Sequence, residues 1–284
     1  MIPDLQNPNP SLQSTILDIL SIRPKQTVKE LYGMFLQKNK RKISIQAFYT
    51  VIKKMVVQRI LVKEEHALTI DASWIDALLR FSEILKKNYL LNEASVSNIV
   101  LRPGEARKFT FETVMAMDNF WTHALIITLY NYRQNPDIDD GNVYGYNHHS
   151  WFQIARTGQE QGLVKAYGQI GMKYYVLSGS RSFLDNAVAD IVESKNFNYK
   201  TIEPSEIFKI NYYLTVVGDI IFETQLPKYI YELMEEIYKK VTNISEFERQ
   251  EIIKLIQLPA KTVLTISHDK KKAKQLREAI KKYF

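Results

Sequence analysis

No cysteine occurs among the 284 residues, which excludes a disulfide scaffold, a Cys-ligated zinc or iron–sulfur site and thiol catalysis. A reducing, intracellular and cytoplasmic setting is the expectation that follows. Long apolar runs are also missing. Ala124 to Leu129 and Tyr213 to Phe222, the latter interrupted by Gly218 and Asp219, fall well short of the roughly 20 residues a membrane-spanning helix needs, so no membrane partner is expected. Residues 1 to 10 carry Asp4 and three prolines but neither Lys nor Arg and no apolar stretch, a composition that does not suit a secretory signal and fits a short flexible lead-in. What is present is an ordinary globular balance, 45% hydrophobic and 24% charged in 33.2 kDa. That length exceeds one typical domain, so two folded units are expected.

Charge is unevenly divided between them. Residues 1 to 90 hold 14 Lys and Arg against 8 Asp and Glu, while residues 91 to 269 hold 17 against 22. A basic tail follows, with seven basic residues and only Glu278 between 270 and 282. A basic amino-terminal unit joined to an acidic body points to a polyanionic partner for the first unit.

The periodicity of that unit is helical at first. Leu12, Ile16, Ile19 and Leu20 lie at helical spacing ahead of Pro24 and predict a first helix. Thr27 followed by Glu30 is a capping box that starts a second helix over Val28 to Gln37, burying Leu31, Met34 and Phe35. After the basic loop Lys38, Lys40, Arg41, Lys42, Ser44 precedes a third helix with Ile45, Phe48, Ile52, Met55 and Val56 on one stripe and Gln46, Tyr49, Thr50, Lys53 and Lys54 opposite. Ile60 to Lys63 and Ala67 to Ile70 then read as two strands about Glu64-Glu65-His66.

The stretch TVKELYGMFLQKNKRKISIQAFYTVIKKMVVQRILVKEEHALTI resembles the helix, turn, recognition helix and wing of the winged-helix transcriptional regulators. The resemblance implies that the third helix enters the major groove of duplex DNA, bringing Ser44, Gln46, Tyr49, Thr50 and Lys53, with Lys54 beside them, to base edges or phosphates. Lys40, Arg41 and Lys42 would meet backbone phosphate. Glu64 and Glu65 depart from the pattern, because a wing tip that touches phosphate wants Lys or Arg. A winged helix that binds protein is the alternative. Asp71 or Ser73 should cap a fourth helix whose stripe, Trp74, Ala77, Leu78, Phe81, Ile84, Leu85 and Tyr89, is long enough both to cover the small core and to pair two chains as a homodimer.

Residues 91 to 107, polar and containing Pro103-Gly104, read as a linker between a domain over 1–90 and an α/β domain over 108–284. In the latter, strand-like and helical runs alternate. Strands are expected at 108–111, 142–147, 173–177, 199–202, 211–217, 220–226 and 262–267. Helices are expected at 116–130, 151–169, 182–194, 228–241, 245–257 and 270–283. Such alternation predicts a mixed sheet covered by helices, with a hairpin turning at Gly218-Asp219. The fold class is therefore α+β and α/β: an amino-terminal winged helix-turn-helix domain followed by a mixed α/β sheet domain. That order resembles sensor-type regulators, including the TrmB-like group, whose second domain resembles a phospholipase D fold that has lost catalysis.

Chemistry in the body is sparse. A phospholipase D site needs His-x-Lys-x4-Asp; His268-Asp269-Lys270 supplies its start, but Gln275 stands where the Asp is required and there is no second copy. No catalytic activity and no cofactor are expected, a phosphodiesterase or nuclease being the lesser alternative. Asp137-x-Asp139-Asp140-Gly141 misplaces the ligands of a calcium loop. His148-His149, read as strand residues, should point to opposite faces, one inside and one outside, with contact of His149 to a ligand as the alternative. Ser178-Gly179-Ser180-Arg181-Ser182 follows a strand and opens a helix, where free amides favour an anion. Ser178, Ser180, Arg181 and His149 are thus the candidate contacts for a small anionic ligand or a protein partner, against a simple turn with a serine cap. Tyr174, Tyr175, Tyr212 and Tyr213 should alternate across their strands. The basic last helix, docking through Leu276, Ile280 and Phe284, is either solvated or part of a nucleic-acid face.

Overall fold

The computed structural model describes residues 11–38, 43–90, 99–133, 141–169, 171–192, 194–203, 208–243 and 247–284. The chain divides into two compact units, Met1–Tyr89 and Leu90–Phe284. Among the described residues no helix is long and apolar enough to cross a membrane.

Capping starts each helix of the first unit. Ser11 accepts from the Ser14 amide at the head of α1 (Leu12–Ile22). Thr27 and Glu30 form the reciprocal box of α2 (Val28–Lys38): the Glu30 amide donates to Thr27 Oγ1 at 3.3 Å and the Thr27 amide donates to Glu30 Oε2 at 2.8 Å. Ser44 accepts from the Ala47 amide above α3 (Ile45–Val57). That helix ends in a Schellman motif, with the Ile60 amide on the Met55 carbonyl and the Arg59 amide on that of Val56. Arg59 takes the left-handed position there, φ 54°, a conformation that glycine adopts at lower cost.

Strands β2 (Leu61–Glu64) and β3 (Ala67–Ile70) form the expected hairpin, with Glu64 opposite Ala67 and the two-residue loop Glu65-His66 between them. A third strand was not visible in the sequence: β1 (Gln26–Thr27), only two residues long, pairs antiparallel with β3 to give the order β1-β3-β2. Ile16, Leu20, Leu31, Phe35, Phe48, Ile52, Met55, Leu61 and Leu68 fill one core beneath these elements. Ile45, expected on the buried stripe of α3, is 40% exposed, because the first residue of a helix lies beyond the reach of the core its later turns cover. Asp71, rather than Ser73, caps α4 (Ala72–Leu85). Of α4, Trp74 packs on this core, yet no residue of the helix is fully buried. Ile75, Leu79, Phe81, Ile84 and Leu85 are exposed, so the stripe covers less of the core than its periodicity suggested. A π-helical turn, Lys86–Leu90, follows.

The second unit is a seven-stranded mixed sheet, β4 (Ala106–Phe111), β5 (Val143–Asn147), β6 (Tyr174–Ser178), β7 (Phe197–Thr201), β8 (Tyr212–Val217), β9 (Ile220–Gln225) and β10 (Thr262–His268), in the order β4-β10-β9-β8-β5-β6-β7. The β5-β6-β7 portion is parallel and every other pairing antiparallel. Gly218 turns the β8-β9 hairpin at φ 54°, and Arg277 donates to its carbonyl. The stretch 99–107 departs from the linker reading. Ile99 and Leu101 are buried in the body's core and Ala106 already belongs to β4, because two apolar residues in an otherwise polar segment suffice to pin it.

Both faces of the sheet are covered. One carries α5 (Val114–Arg133), α6 (Trp151–Ala155), α7 (Thr157–Gln169), α8 (Phe183–Ile191), α9 (Lys228–Lys240) and α10 (Arg249–Ile256) over a core that includes Val143, Tyr174, Val176, Tyr213 and Phe222. The other carries α11 (Lys270–Lys281) over Tyr144, Tyr146, Leu177, Leu214 and Val216. The expected single helix over 151–169 is broken at Arg156, which leaves helical geometry at φ −126°. Tyr174 and Tyr213 face the larger core, while Tyr175 and Tyr212 face α11 half-buried, so alternation holds but neither face is bare. In α11, Ile280 is buried and Phe284 beyond it packs edge-on against Tyr175. Arg277 is buried as well, 3.8 Å from Asp219.

Candidate nucleic-acid interface and candidate ligand site

In the first unit, 3.6-residue periodicity sorts α3 into two faces. Phe48, Ile52 and Met55 are buried, while Gln46, Tyr49, Thr50, Lys53 and Lys54 are all exposed. Thr50 returns its hydroxyl hydrogen to the Gln46 carbonyl at 2.9 Å, which leaves its oxygen facing outward as an acceptor. Ser44 is exposed, but its oxygen is engaged as the helix cap. Its part in any recognition is therefore first to fix where the helix starts. Lys40, Arg41 and Lys42 lie outside the described residues. At the hairpin tip Glu64 pairs with Lys25 at 3.2 Å, both exposed, so one of the two acidic tip residues is balanced within the unit.

In the second unit, polar groups gather past the carboxyl ends of β5 and β6, where parallel strands present ligand sites. The chain leaves β5 at Asn147 before His148 and His149, so strand alternation does not apply to them. Both histidines are buried, which corrects the expectation of one inside and one outside. His149 Nδ1 donates to Asp185 Oδ2 at 2.7 Å and its Nε2 lies 2.8 Å from Glu235 Oε1. His148 Nε2 approaches the same Glu235 oxygen at 2.9 Å. Lys239 reaches the other Glu235 oxygen at 3.2 Å, and the Tyr231 hydroxyl lies 3.4 Å from His148 Nε2. Asp185 is held in turn by the Ser150 amide at 2.9 Å and the Ser182 hydroxyl at 2.8 Å.

Electrostatics separates the two imidazoles. Burial opposes charge on both. For His149, the hydrogen bonds to Asp185 and Glu235 outweigh burial and raise its pKa. For His148, burial together with the neighbouring His149 charge prevails and lowers it. The hydrogen bond from His149 is the main reason the Glu235 carboxyl is held well below the usual range, with His148 and Lys239 adding to it. His148, His149 and Glu235 each offer one ligand atom to this cluster, and those atoms lie within 4.8 Å of one another, a spacing compatible with a metal ion.

The residues expected to meet an anion are arranged differently. Ser178 is fully buried, its hydroxyl 3.4 Å from the His148 carbonyl, so it braces the chain behind the histidines. Ser180 accepts from the Ser182 amide, and Arg181 is exposed and pairs with Glu203 at 3.3 Å. Ser182 caps α8 by accepting from the Asp185 amide, which is the turn-with-cap geometry. Of the four, His149 and Ser178 belong to one cluster and Arg181 stands apart. Asp185 and Glu235 gave no signal in the sequence. Asp185 sits where a first-turn acid usually serves the helix dipole, and Glu235 is one of a Glu-rich amphipathic run.

A cavity of about 40 Å³ lies nearby in the same unit, lined by Asp118, Trp121, Asn147, Trp151 and Glu160 among others. Arg156 meets Asp118 at 2.7 Å and Glu160 at 3.5 Å. One guanidinium faces two carboxyls, and burial dominates, raising Asp118 to about 6 and Glu160 to about 7. His268, the start of the phospholipase-like pattern, bonds the Leu101 carbonyl through Nδ1 at 2.9 Å, far along the chain from the histidine cluster. Asp137, Asp139 and Asp140 lie outside the described residues.

No protein-family model and no curated protein matches the chain. Among solved structures it is similar to that of TrmBL2, an archaeal chromatin protein described as showing a novel mode of DNA binding. The TM-score is 0.34 and the identity 9%, over 96% of this chain and 91% of that one.

Proposed function

We propose that the protein is a non-catalytic, duplex-DNA-binding transcriptional regulator. Its amino-terminal unit acts as a winged helix that reads DNA through α3, and its α/β body senses a ligand or partner. The observation that carries this reading is the outward face of α3. Gln46, Tyr49, Thr50, Lys53 and Lys54 stand exposed on a helix whose other side is locked into a core, in a unit with an excess of six positive charges. Amide and hydroxyl groups suit base edges and the two lysines suit phosphate. The short β1 strand and the β2-β3 hairpin brace α2 and α3 as a wing-bearing scaffold would. The body is read as non-catalytic because Gln275 stands where the pattern begun by His268 requires an acid, and the sequence holds no second copy of that pattern. The exposed apolar residues of α4 favour pairing of two chains.

Selection of duplexes from a random pool by the purified full-length protein, at two salt concentrations, tests this. Enrichment of an inverted repeat, with binding that weakens steeply as salt rises, is the expected result; a single half-site would remove the dimer. The double variant Lys53→Glu with Lys54→Glu should lose affinity on the order of a hundredfold, and its salt dependence should fall by about two counterions. Unchanged binding by a folded double variant would show that α3 is not the DNA-reading surface.

A further inference from the structure

Two imidazole nitrogens and a carboxylate oxygen converging on one point, from side chains 86 and 87 positions apart in sequence, call for an explanation beyond packing. A structural hydrogen bond to Glu235 needs one histidine, and here two share a single oxygen. The donor set, imidazole with carboxylate and no thiolate, is one that zinc and its neighbours in the first transition row accept. We propose that His148, His149 and Glu235 form a binding site for a divalent transition-metal cation of the zinc type, with Asp185 orienting His149.

Four features of the cluster support it. The first is the outer partner: a metal-bound histidine donates its second nitrogen to a carboxylate, which fixes the ring and strengthens the ligand. His149 does this to Asp185 at 2.7 Å, and Asp185 is itself tied to Ser150 and Ser182. The second is charge: Asp185 and Glu235 supply two carboxylates against the single ammonium of Lys239, so with neutral imidazoles the cluster is anionic and suits a cation. Third, the geometry is close to what the ion requires. Zinc bonds of about 2.0–2.1 Å set neighbouring ligand atoms about 3.3 Å apart in a tetrahedron, and the present separations from Glu235 are 2.8 and 2.9 Å. Replacing the bridging protons by an ion therefore asks for an outward shift of about half an ångström. Glu235, whose side chain is 19% exposed, is the most exposed of the three ligands, and its second oxygen is held by the solvent-exposed Lys239. Fourth, the Tyr231 hydroxyl beside His148 leaves the remaining position to a phenol or a water.

The two histidines are not equivalent. His148 Nδ1 is buried without a hydrogen-bond partner among the described residues, whereas His149 is oriented on both sides. His149 is thus the anchoring ligand and His148 the weaker one. The site does not depend on the DNA reading, since it lies wholly within the second unit.

The test uses untagged full-length protein, stripped with a chelator and titrated with Zn²⁺ by calorimetry and with Co²⁺ by visible absorption. One saturable equivalent and the intense bands of a tetrahedral Co²⁺ site are expected. Glu235→Gln keeps the shape and removes the anionic ligand, and should weaken binding at least about tenfold. Asp185→Asn should weaken it about ten- to a hundredfold, and His149→Gln more than His148→Gln. His66→Ala, on the exposed hairpin loop, should leave it unchanged. Thermal melts establish that each variant is folded; if Glu235→Gln is not, His148→Gln provides the same reading. Absence of one-to-one saturation in the parent, or parental affinity in a folded Glu235→Gln, would overturn the assignment.

Discussion

The outer face of α3 and the histidine cluster of the body are both polar groups mounted on apolar scaffolds, and they differ in what holds them. On α3, five side chains within nine positions of one helix point into solvent, and their placement needs only the helix and its buried stripe. In the cluster, His149 depends on Asp185, 36 positions on, and on Glu235, 86 positions on, and Asp185 is wholly inaccessible. An exposed face can be altered with little consequence for the fold. A buried ionised network cannot, because each member neutralises another's desolvation.

The strongest way to break that contrast is Asp185→Ala. It leaves the buried His149 without its main partner, and also strands the Ser150 amide and the Ser182 hydroxyl. A loss of about 3–5 kcal/mol is expected in denaturant unfolding of the body, against no more than about 0.5 kcal/mol for Lys53→Ala on α3. Equal effects would mean that the cluster is not the network described.

Outside the histidine cluster, where Glu235 is lowered, the shifted acids of the two units move in opposite directions. Asp118 and Glu160 in the body are raised from 3.8 and 4.5 to about 6 and about 7. The folded chain therefore keeps protons that the unfolded chain has released between about pH 4 and pH 7. Their contribution to stability is full below that window and is lost as pH rises through it, on the order of 3 kcal/mol per group. In the first unit Glu30 and Asp71 are lowered, by their hydrogen bonds to Thr27 and Ser73 respectively. Their contribution is present above the normal carboxylate range and is lost as pH falls through the lowered values. Hydrogen exchange at pH 5 and pH 8 should show the body opening more readily at the higher pH and the first unit unchanged or slightly tighter. Glu160→Gln should flatten the body's response.

Smaller effects test the local grammar of the first unit. Thr27→Ala removes the capping box of α2 and should cost about 1 kcal/mol. Arg59→Gly relieves the left-handed residue that ends α3 and should raise stability by about 0.5–1 kcal/mol. Both are read from chemical unfolding midpoints, and both should leave the body's exchange pattern as it was.

The contrast also governs how much could be read in advance. Helix starts at Thr27 and Ser44, the β2-β3 hairpin and the Gly218-Asp219 turn were legible because each is written within a few adjacent residues. The strand β1 was not, since two residues carry no period and Gln26-Thr27 becomes a strand only by meeting Ala67 and Leu68. The break at Arg156 was hidden for a similar reason: the side chain leaves the helix to face Asp118, 38 positions earlier. His148-His149 was misjudged because strand alternation was applied one residue past the end of the strand.

By itself the sequence determined the two-unit layout, the α/β alternation of the body and the polar and apolar sides of α3, because charge balance, period and capping act over short distances along the chain. The tertiary structure alone decided the strand order β4-β10-β9-β8-β5-β6-β7, the burial of Arg277 and the convergence of His148, His149, Asp185 and Glu235. Those features depend on which remote segments pack together, and burial then sets the charge and the partners of each group.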